Sequence, residues 1–557
     1  MDRAKIKKSL EAITGLFDGI VEPDVRAAIA ALLNLIEVLV AENEKQCRTI
    51  QNLKNEINVL KGEQGKPKIR PQTKGSNNHS SEEERKKRKK KNKKNKRNKK
   101  KNVIKSNRSM ICKVDISQLP PDAQRKGCKS IVIQDLKIIT DNVEFKREVY
   151  YSPSLKKTFM ADLPEGYDGE YGPGIKTLAV SLYHNSNMTQ PALKDFFTTC
   201  GVVISKTTIS RMLTDKHEAF HQEKEDIIDA GLHAPYQHTD DTSARVNGKN
   251  HYVHILSNPF YTAFFTRPRK DRLTLLEILC RDELKFSVNQ ESFQLMKTMG
   301  LSDKRLQQLV AIGVEGILNR SEIDALLLKL FPDLKKQKTN RRYILEASAL
   351  VYYHNLDHAL KHLMCDDAPQ FNHIAKHKSL CWIHEGRHYK KLRPIIPLHK
   401  KLLDDFATDF WDFYQKLLDY TEQPASGGYI QFSDEFDMLF STQTGYDELD
   451  ARIALTAAKK EALLLPLRFP FLPLHNNDAE GGAQHQARLR DIHLQTKNEK
   501  GTKAKDTFAT IVKTARKLNV NLYNYFYDRI TKKFLMPSLA SLILEQCQLH
   551  YNASLCV

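Results

Sequence analysis

The sequence predicts a mixed α/β protein standing behind a long N-terminal helix, and three observations predict it. Between Tyr236 and Lys270 (YQHTDDTSARVNGKNHYVHILSNPFYTAFFTRPRK) strand-forming runs are separated by turn signals, with Asn247-Gly248 as a hairpin turn. Runs of helical period, such as DKRLQQLVAIGVEGIL and DDFATDFWDFYQKLLDY, surround that meander. Ahead of both, Ile29, Ile36, Asn43, Ile50 and Ile57 recur every seventh residue, with Leu32, Leu39, Gln46, Leu53 and Leu60 three places later.

That heptad pattern predicts a coiled coil of about five heptads. Ile at one core position and Leu at the other favours a parallel two-stranded form, and the single polar core residue Asn43 penalises other registers. Ile36, Leu39, Asn43, Ile50 and Leu53 are the expected dimer contacts. An amphipathic helix packed on its own protein is the alternative. Gly62, Gly65 and Pro67 then break the helix, and a Ser/Asn/Lys-rich tract runs to about residue 108 with almost nothing to bury. Of the 17 residues from Arg85 to Lys101, 14 are basic, two-thirds of the whole net charge of +21. Such a tract binds DNA or RNA without reading sequence, by releasing counterions, or else is only a solvated linker.

A length of 557 residues allows about three to five domains. With 40% apolar residues and no uninterrupted apolar run of about 18, neither a membrane span nor a secretory leader is expected. The nine cysteines are scattered without a CxxC pair, which predicts reduced thiols, with the cytoplasm as the default, rather than a disulfide framework or zinc ribbon.

From Ile131 to Leu163, three alternating runs predict a small three-stranded sheet. Tyr171-Gly172-Pro173-Gly174 opens a helical stretch. Thr189 is placed to cap a helix ending near Cys200-Gly201, and Ser205 to cap a second, KTTISRML. Ile209 and Leu213 would face inward and Lys206, Thr207, Ser210 and Arg211 outward, the pattern of a DNA-binding helix-turn-helix, although many helical hairpins bind nothing.

Three acidic strings stand out. HTDDTSARV ends a predicted strand in acid, and because side chains alternate only one of Asp240 and Asp241 can join a given site. LMCDDAPQF offers Asp366 or Asp367 at a second strand end. PLHNNDAEGG places Glu480 on a helix beginning around Asp478, with Asn476, Asn477 or Asp478 as cap. Three such carboxylates can hold two divalent cations, and hard oxygen ligands favour Mg²⁺ or Mn²⁺. Chance and solvation explain most acidic residues equally well.

HTDDTSARVNGKNHYVH, LMCDDAPQF followed by CWIHEGRHYKKL, and PLHNNDAE resemble the three acidic blocks of the DDE transposases of the insertion-sequence-66 family. Those blocks run roughly DET, then SDG or SDD with CWAHxRR close behind, then DNNxxER. The coiled coil, the helix-turn-helix ahead of the first acid and the helical tail also have counterparts there. The resemblance implies an RNase H-like catalytic core with a mixed five-stranded sheet and helical insertions. Asp240 would lie on the first strand, Asp366 on the fourth and Glu480 on a late helix, together holding two Mg²⁺ or Mn²⁺ ions. These would serve to cut double-stranded DNA at transposon ends and join it to a target. His384 and Arg387 match the CWAHxRR block and would approach the scissile phosphate, or only pack. Gly481-Gly482 stands where the family usually has Arg, and Arg488 and Arg490 would take over the phosphate from that residue.

The implied organisation is residues 1–66 helix and dimeric coiled coil, 67–108 disordered linker, 109–168 β segment, 169–228 helix-turn-helix, 229–500 catalytic core, and 501–557 helical tail. The core carries insertions at about 281–360 and 402–470, the latter expected to end where Pro466 forbids a further turn. Trp411, Phe413 and Tyr414 read as core aromatics. Zinc is not expected, either at Cys112 and Cys128 or at Cys381, His384 and His388. Implied partners are DNA, a second copy of the chain and accessory proteins from the same element, in the nucleoid-associated cytoplasm of a bacterium.

Overall fold

The structure, a computed structural model, describes residues 22–60, 107–115, 120, 123–125, 127–131, 133–167, 169–423 and 427–552. The Lys-rich tract to residue 106, the break at Gly62, Gly65 and Pro67, and residues 424–426 lie outside them. The chain divides into two units.

The smaller unit contains an antiparallel pair, β1 (Val149–Ser152) and β2 (Lys157–Met160), not the expected three-stranded sheet. The run from Ile131 to Ile139 carries strand-forming residues, but Ile131, Ile133, Leu136 and Ile139 are exposed and unpaired. Alternation without a face to bury does not make a strand.

In the larger unit, α1 (Pro23–Leu60) is one continuous helix. α2 (Gln190–Thr199), whose Ala192 amide donates to Thr189 Oγ1, begins in this unit and runs into the smaller one, and α3 (Lys206–Thr214) lies in the larger unit with Ile209 and Leu213 buried. The body is a five-stranded mixed sheet. β3 (Gln237–Val246), β4 (Lys249–Ser257) and β5 (Thr262–Arg267) form an antiparallel meander through the Asn247-Gly248 turn. β6 (Phe286–Val288) and β7 (Gly316–Leu318) form a separate small ribbon among the helices between residues 281 and 360. β8 (His362–Cys365) pairs parallel to β3, and β9 (His377–Leu380) parallel to β8. In space the order is β5-β4-β3-β8-β9.

After β9 come α4 (Trp382–Tyr389), α5 (Pro397–Glu422) and α6 (Asp447–Ala457). With Gly428–Phe440 they enclose an aromatic core of Trp382, Phe410, Phe413, Tyr414 and Phe436, against which Trp411 is partly buried. Pro466 does not close this region. It starts a short helix, Leu465–Arg468, because a proline in the first turn lacks only an amide that would be unpaired anyway. The final pieces are α7 (Asn477–His493) and α8 (Glu499–Lys517).

α8 satisfies the free edge of the sheet. The amides of Thr262, Phe264 and Thr266 on β5 donate to Thr514 Oγ1 (3.4 Å), Thr510 Oγ1 (3.2 Å) and Asp506 Oδ2 (2.6 Å). Every fourth helical residue rises about 6.0 Å and every second strand residue about 6.6 Å, so the two ladders stay in step. An edge that could template aggregation is thereby covered.

The first half of α1 departs from the coiled-coil expectation. Leu33 is 2% exposed and packs on Ile396 and Leu398 together with the partly buried Ile29 and Ile36. Ile36 is therefore a contact within the chain, so the alternative of a helix packed on its own protein holds for these turns. Leu32, Leu39, Ile50, Leu53 and Ile57 point elsewhere and stay exposed, as does Asn43.

Candidate functional site

Asp240 and Asp366 reach the same level of the sheet by register. The last parallel pair of β3 and β8 is His238 with Met364, and each acid lies two residues beyond it. Asp240 does not end its strand: β3 continues to Val246, but only β4 follows it there, leaving one side of the strand open at the acid.

Adjacent acids have divided the work. Asp241 accepts from Lys270 Nζ (3.3 Å) and Gln370 Nε2 (2.9 Å), while Asp367 is bracketed by Lys459 (2.8 Å) and Lys378 (3.2 Å). Asp240 takes only the Asp241 amide and Asp366 only the Ala368 amide, and among the described residues neither has a cationic partner. Burial, with the charges of Asp366, Asp241 and Glu480 added, pushes Asp240 up to about 7. A divalent cation relieves that strain, so the pair fits hard-cation chemistry.

Glu480 sits in the first turn of α7. The capping residue is Asn476, but its side chain does not cap: it bonds His238 Nδ1 (2.9 Å) and the Thr239 carbonyl (2.8 Å), tying the helix start to β3 beside Asp240. Gly482 permits the approach, since a Cβ there would stand 3.0 Å from Ile255 and 3.4 Å from Phe264. Gly482 thus serves close packing.

The Glu480 carboxylate faces α4. Arg387 holds it at 3.0 and 3.4 Å, and His384 Nδ1 lies 3.4 Å from Oε1 without hydrogen-bond geometry. Burial holds His384 below its usual range. His384 and Arg387 are accordingly placed on Glu480. Cys381, His384 and Glu480 offer ligand atoms within 4.8 Å of one another, the one such triplet among the described residues, whereas His388 and the two aspartates fall outside it. Burial pushes the Cys381 thiol up to about 12, against a thiolate ligand.

On α3, Lys206, Thr207 and Arg211 are exposed and Ser210 partly so. Arg488 is exposed, while Arg490 donates to the Ser243 carbonyl (2.7 Å) and supports β3. The lysines that select between adjacent acids were invisible in the sequence because they come from three separate places, a loop after β5, β9 itself and the helical insertion, that only the fold brings to the acids. Among the described residues no helix is long and apolar enough to cross a membrane.

No protein-family model and no solved structure matches the chain. Over 310 residues, 55% of this chain and 94% of the other, it is 28% identical to the uncharacterized protein y4jO of Sinorhizobium fredii (strain NBRC 101917 / NGR234).

Proposed function

We propose that the chain is a bacterial DNA transposase that cuts and joins strands with an RNase H-like core. The observation that carries this reading is the pair Asp240 and Asp366, side by side and, among the described residues, without a cationic partner, while their neighbours Asp241 and Asp367 are neutralised by lysines. The order β5-β4-β3-β8-β9, with one acid on the central strand and one just past its parallel neighbour, supports it.

Asp240, Asp366 and Glu480 would hold two Mg²⁺ or Mn²⁺ ions, which supply activation of the attacking oxygen and stabilisation of the leaving one. Arg387, 39% exposed, stands between solvent and Glu480. A scissile phosphate entering over the aspartates competes for that guanidinium and frees the Glu480 carboxylate to join them. The helices α2 and α3 would present Lys206, Thr207, Ser210 and Arg211 to the transposon end, and the Lys-rich tract would add affinity that falls with salt. The exposed face of α1, with Leu39, Ile50 and Leu53, would pair with a second copy. Leu53→Lys should then shift the mass in light scattering toward the monomer.

A second reading, a DNA-binding protein without catalysis, draws on the engagement of Glu480 by Arg387 and His384. Purified protein and Asp366→Ala, given Mg²⁺ and a labelled duplex bearing the repeats that flank the coding sequence, decide between them. Nicking at the repeat boundary by the unmutated protein alone supports the transposase. Cleavage without joining indicates a nuclease of the same core, and binding without cleavage by either protein removes the catalytic reading.

A further inference from the structure

Helices α7 and α8 both lie against β5, and between them is a concentration of positive charge that the proposed chemistry does not use. α8 spends Asp506, Thr510 and Thr514 on the sheet edge. On the α7 side it also presents Lys505, Lys513, Arg516 and Lys517, the last paired with Asp478 of α7 at 3.8 Å. From α7 come His485 and Arg488, and Arg488, Lys505, Lys513 and Arg516 act on His485.

Little of this charge is paired among the described residues. Among the described residues Arg488, Lys505 and Lys513 have no hydrogen bond or ion pair, and Arg516 donates only to Asn185. Asp506, whose charge acts on Lys505, is hydrogen-bonded to Thr266. Lys505 and Lys513 are partly buried, and burial together with the surrounding cations pulls Lys513 down to about 8. His485 is 8% exposed, and its Nε2 is buried without a partner.

Desolvating unpaired cations is costly, and an oxyanion placed among them offsets that cost. The position favours a polymer over a small anion. Arg488 lies eight residues beyond Glu480 on the same helix, about 12 Å along its axis. That is roughly three to four nucleotide steps along a duplex strand. At its other end, α8 packs against α3, whose Lys206 and Arg211 are exposed. A run of cations thus connects the outward face of α3 with the helix that carries Glu480.

We propose that the groove between α7 and α8, lined by His485, Arg488, Lys505, Lys513 and Arg516, seats the phosphate backbone of duplex DNA. Its location a few nucleotides from the cut strand rests on the proposed function, whereas the seat itself does not. Lys505 and Lys513 neutralise the phosphates and the exposed arginines extend the track.

The test is lysine acetylation of the full chain followed by mass spectrometry, with no addition, with saturating duplex of arbitrary sequence, and with inorganic phosphate. Lys505 and Lys513 should be acetylated severalfold more slowly with the duplex and at an unchanged rate with phosphate. The Lys505→Gln/Lys513→Gln double variant should bind the same duplex with a salt slope shallower by about 2, since each phosphate left without its lysine lowers the slope by about 0.9. Equal acetylation with and without duplex, an unchanged salt slope, or protection by inorganic phosphate alone overturns the seat. Protection and a reduced slope in a protein that never nicks would uphold the seat and remove the transposase reading.

Discussion

Glu37→Ala should release α1 from the body of the protein. In the folded chain the Glu37 carboxylate, 5% exposed, accepts from the amides of Ile395 and Ile396 and from His399 Nδ1 at 3.1 Å. Those amides open α5, where the helix dipole also favours a negative charge. Burial works to raise the Glu37 pKa, but the bonds from His399 and the two amides prevail and hold it below the ordinary value. A carboxyl with a lowered folded pKa contributes stability above its unfolded pKa and loses it as pH falls through the folded one, so docking weakens in acid. Alanine strands two amides and a buried imidazole, a loss of roughly 3–5 kcal/mol for a broken buried charge network. Glutamine keeps the shape and costs about 1–3 kcal/mol. Full burial of Leu33, worth about 1.5–3 kcal/mol, does not compensate for the alanine change. Hydrogen exchange read by mass spectrometry reports the amides of Ile395 and Ile396 directly. At neutral pH their protection should fall by about two to three orders of magnitude in Glu37→Ala, at one decade per 1.4 kcal/mol. The unmutated protein should lose part of the same protection on acidification. Full protection of both amides in the alanine variant would refute the docking argument.

Three further outcomes follow from the same structure. Burial pushes Glu223 up to about 7 against the pull of Arg529, so the folded state binds that proton more tightly and stability falls as pH rises from the ordinary carboxyl range to 7. Glu223→Gln should flatten that fall and gain up to roughly 3 kcal/mol at pH 8, read by denaturant unfolding at pH 5 and 8; a parallel pH dependence in both proteins contradicts it. Gly482→Val should lower the melting temperature through about 1–3 kcal/mol of overpacking against Ile255, Phe264 and Thr262, with Gly482→Ala milder; an unchanged transition in calorimetry means α7 does not need its close approach. Arg387→Ala removes the counter-charge from Glu480 and should tighten Mn²⁺ binding severalfold, equivalent to about 1 kcal/mol for so exposed an arginine. A calorimetric titration showing no change would separate Glu480 from the cation site.

Local rules carried the expected secondary structure a long way. Asn247-Gly248 marked its hairpin because a turn with two positive φ angles suits those residues, and both adopt them, at 47° and 76°. The strands at β3, β4, β5 and β8, and the helix bearing Glu480, lie where period and turn signals put them. Local rules failed where a second surface decides. Ile131 to Ile139 alternates like a strand but finds no face to bury. The heptads of α1 predict a partner without saying which: Ile36 met Ile396 of its own chain, while Leu39 and Leu53 remain uncovered.

The sequence by itself determined which residue types were available to the site and on which elements they ride, because periodicity and turn chemistry act over a few residues. It narrowed the acids to Asp240 or Asp241, Asp366 or Asp367, and Glu480. The resemblance had matched Asp240 and Asp366 by position, but only the tertiary structure gave a physical ground for separating each pair, through Lys270, Lys378 and Lys459, which neutralise Asp241 and Asp367. Only it turned Glu480 toward Arg387, closed the β5 edge with Asp506, Thr510 and Thr514, and gathered unpaired cations around His485. The reason is electrostatic. A charge's environment is set by neighbours within a few ångströms in space, and for Glu37 one such neighbour, His399, lies 362 residues away along the chain.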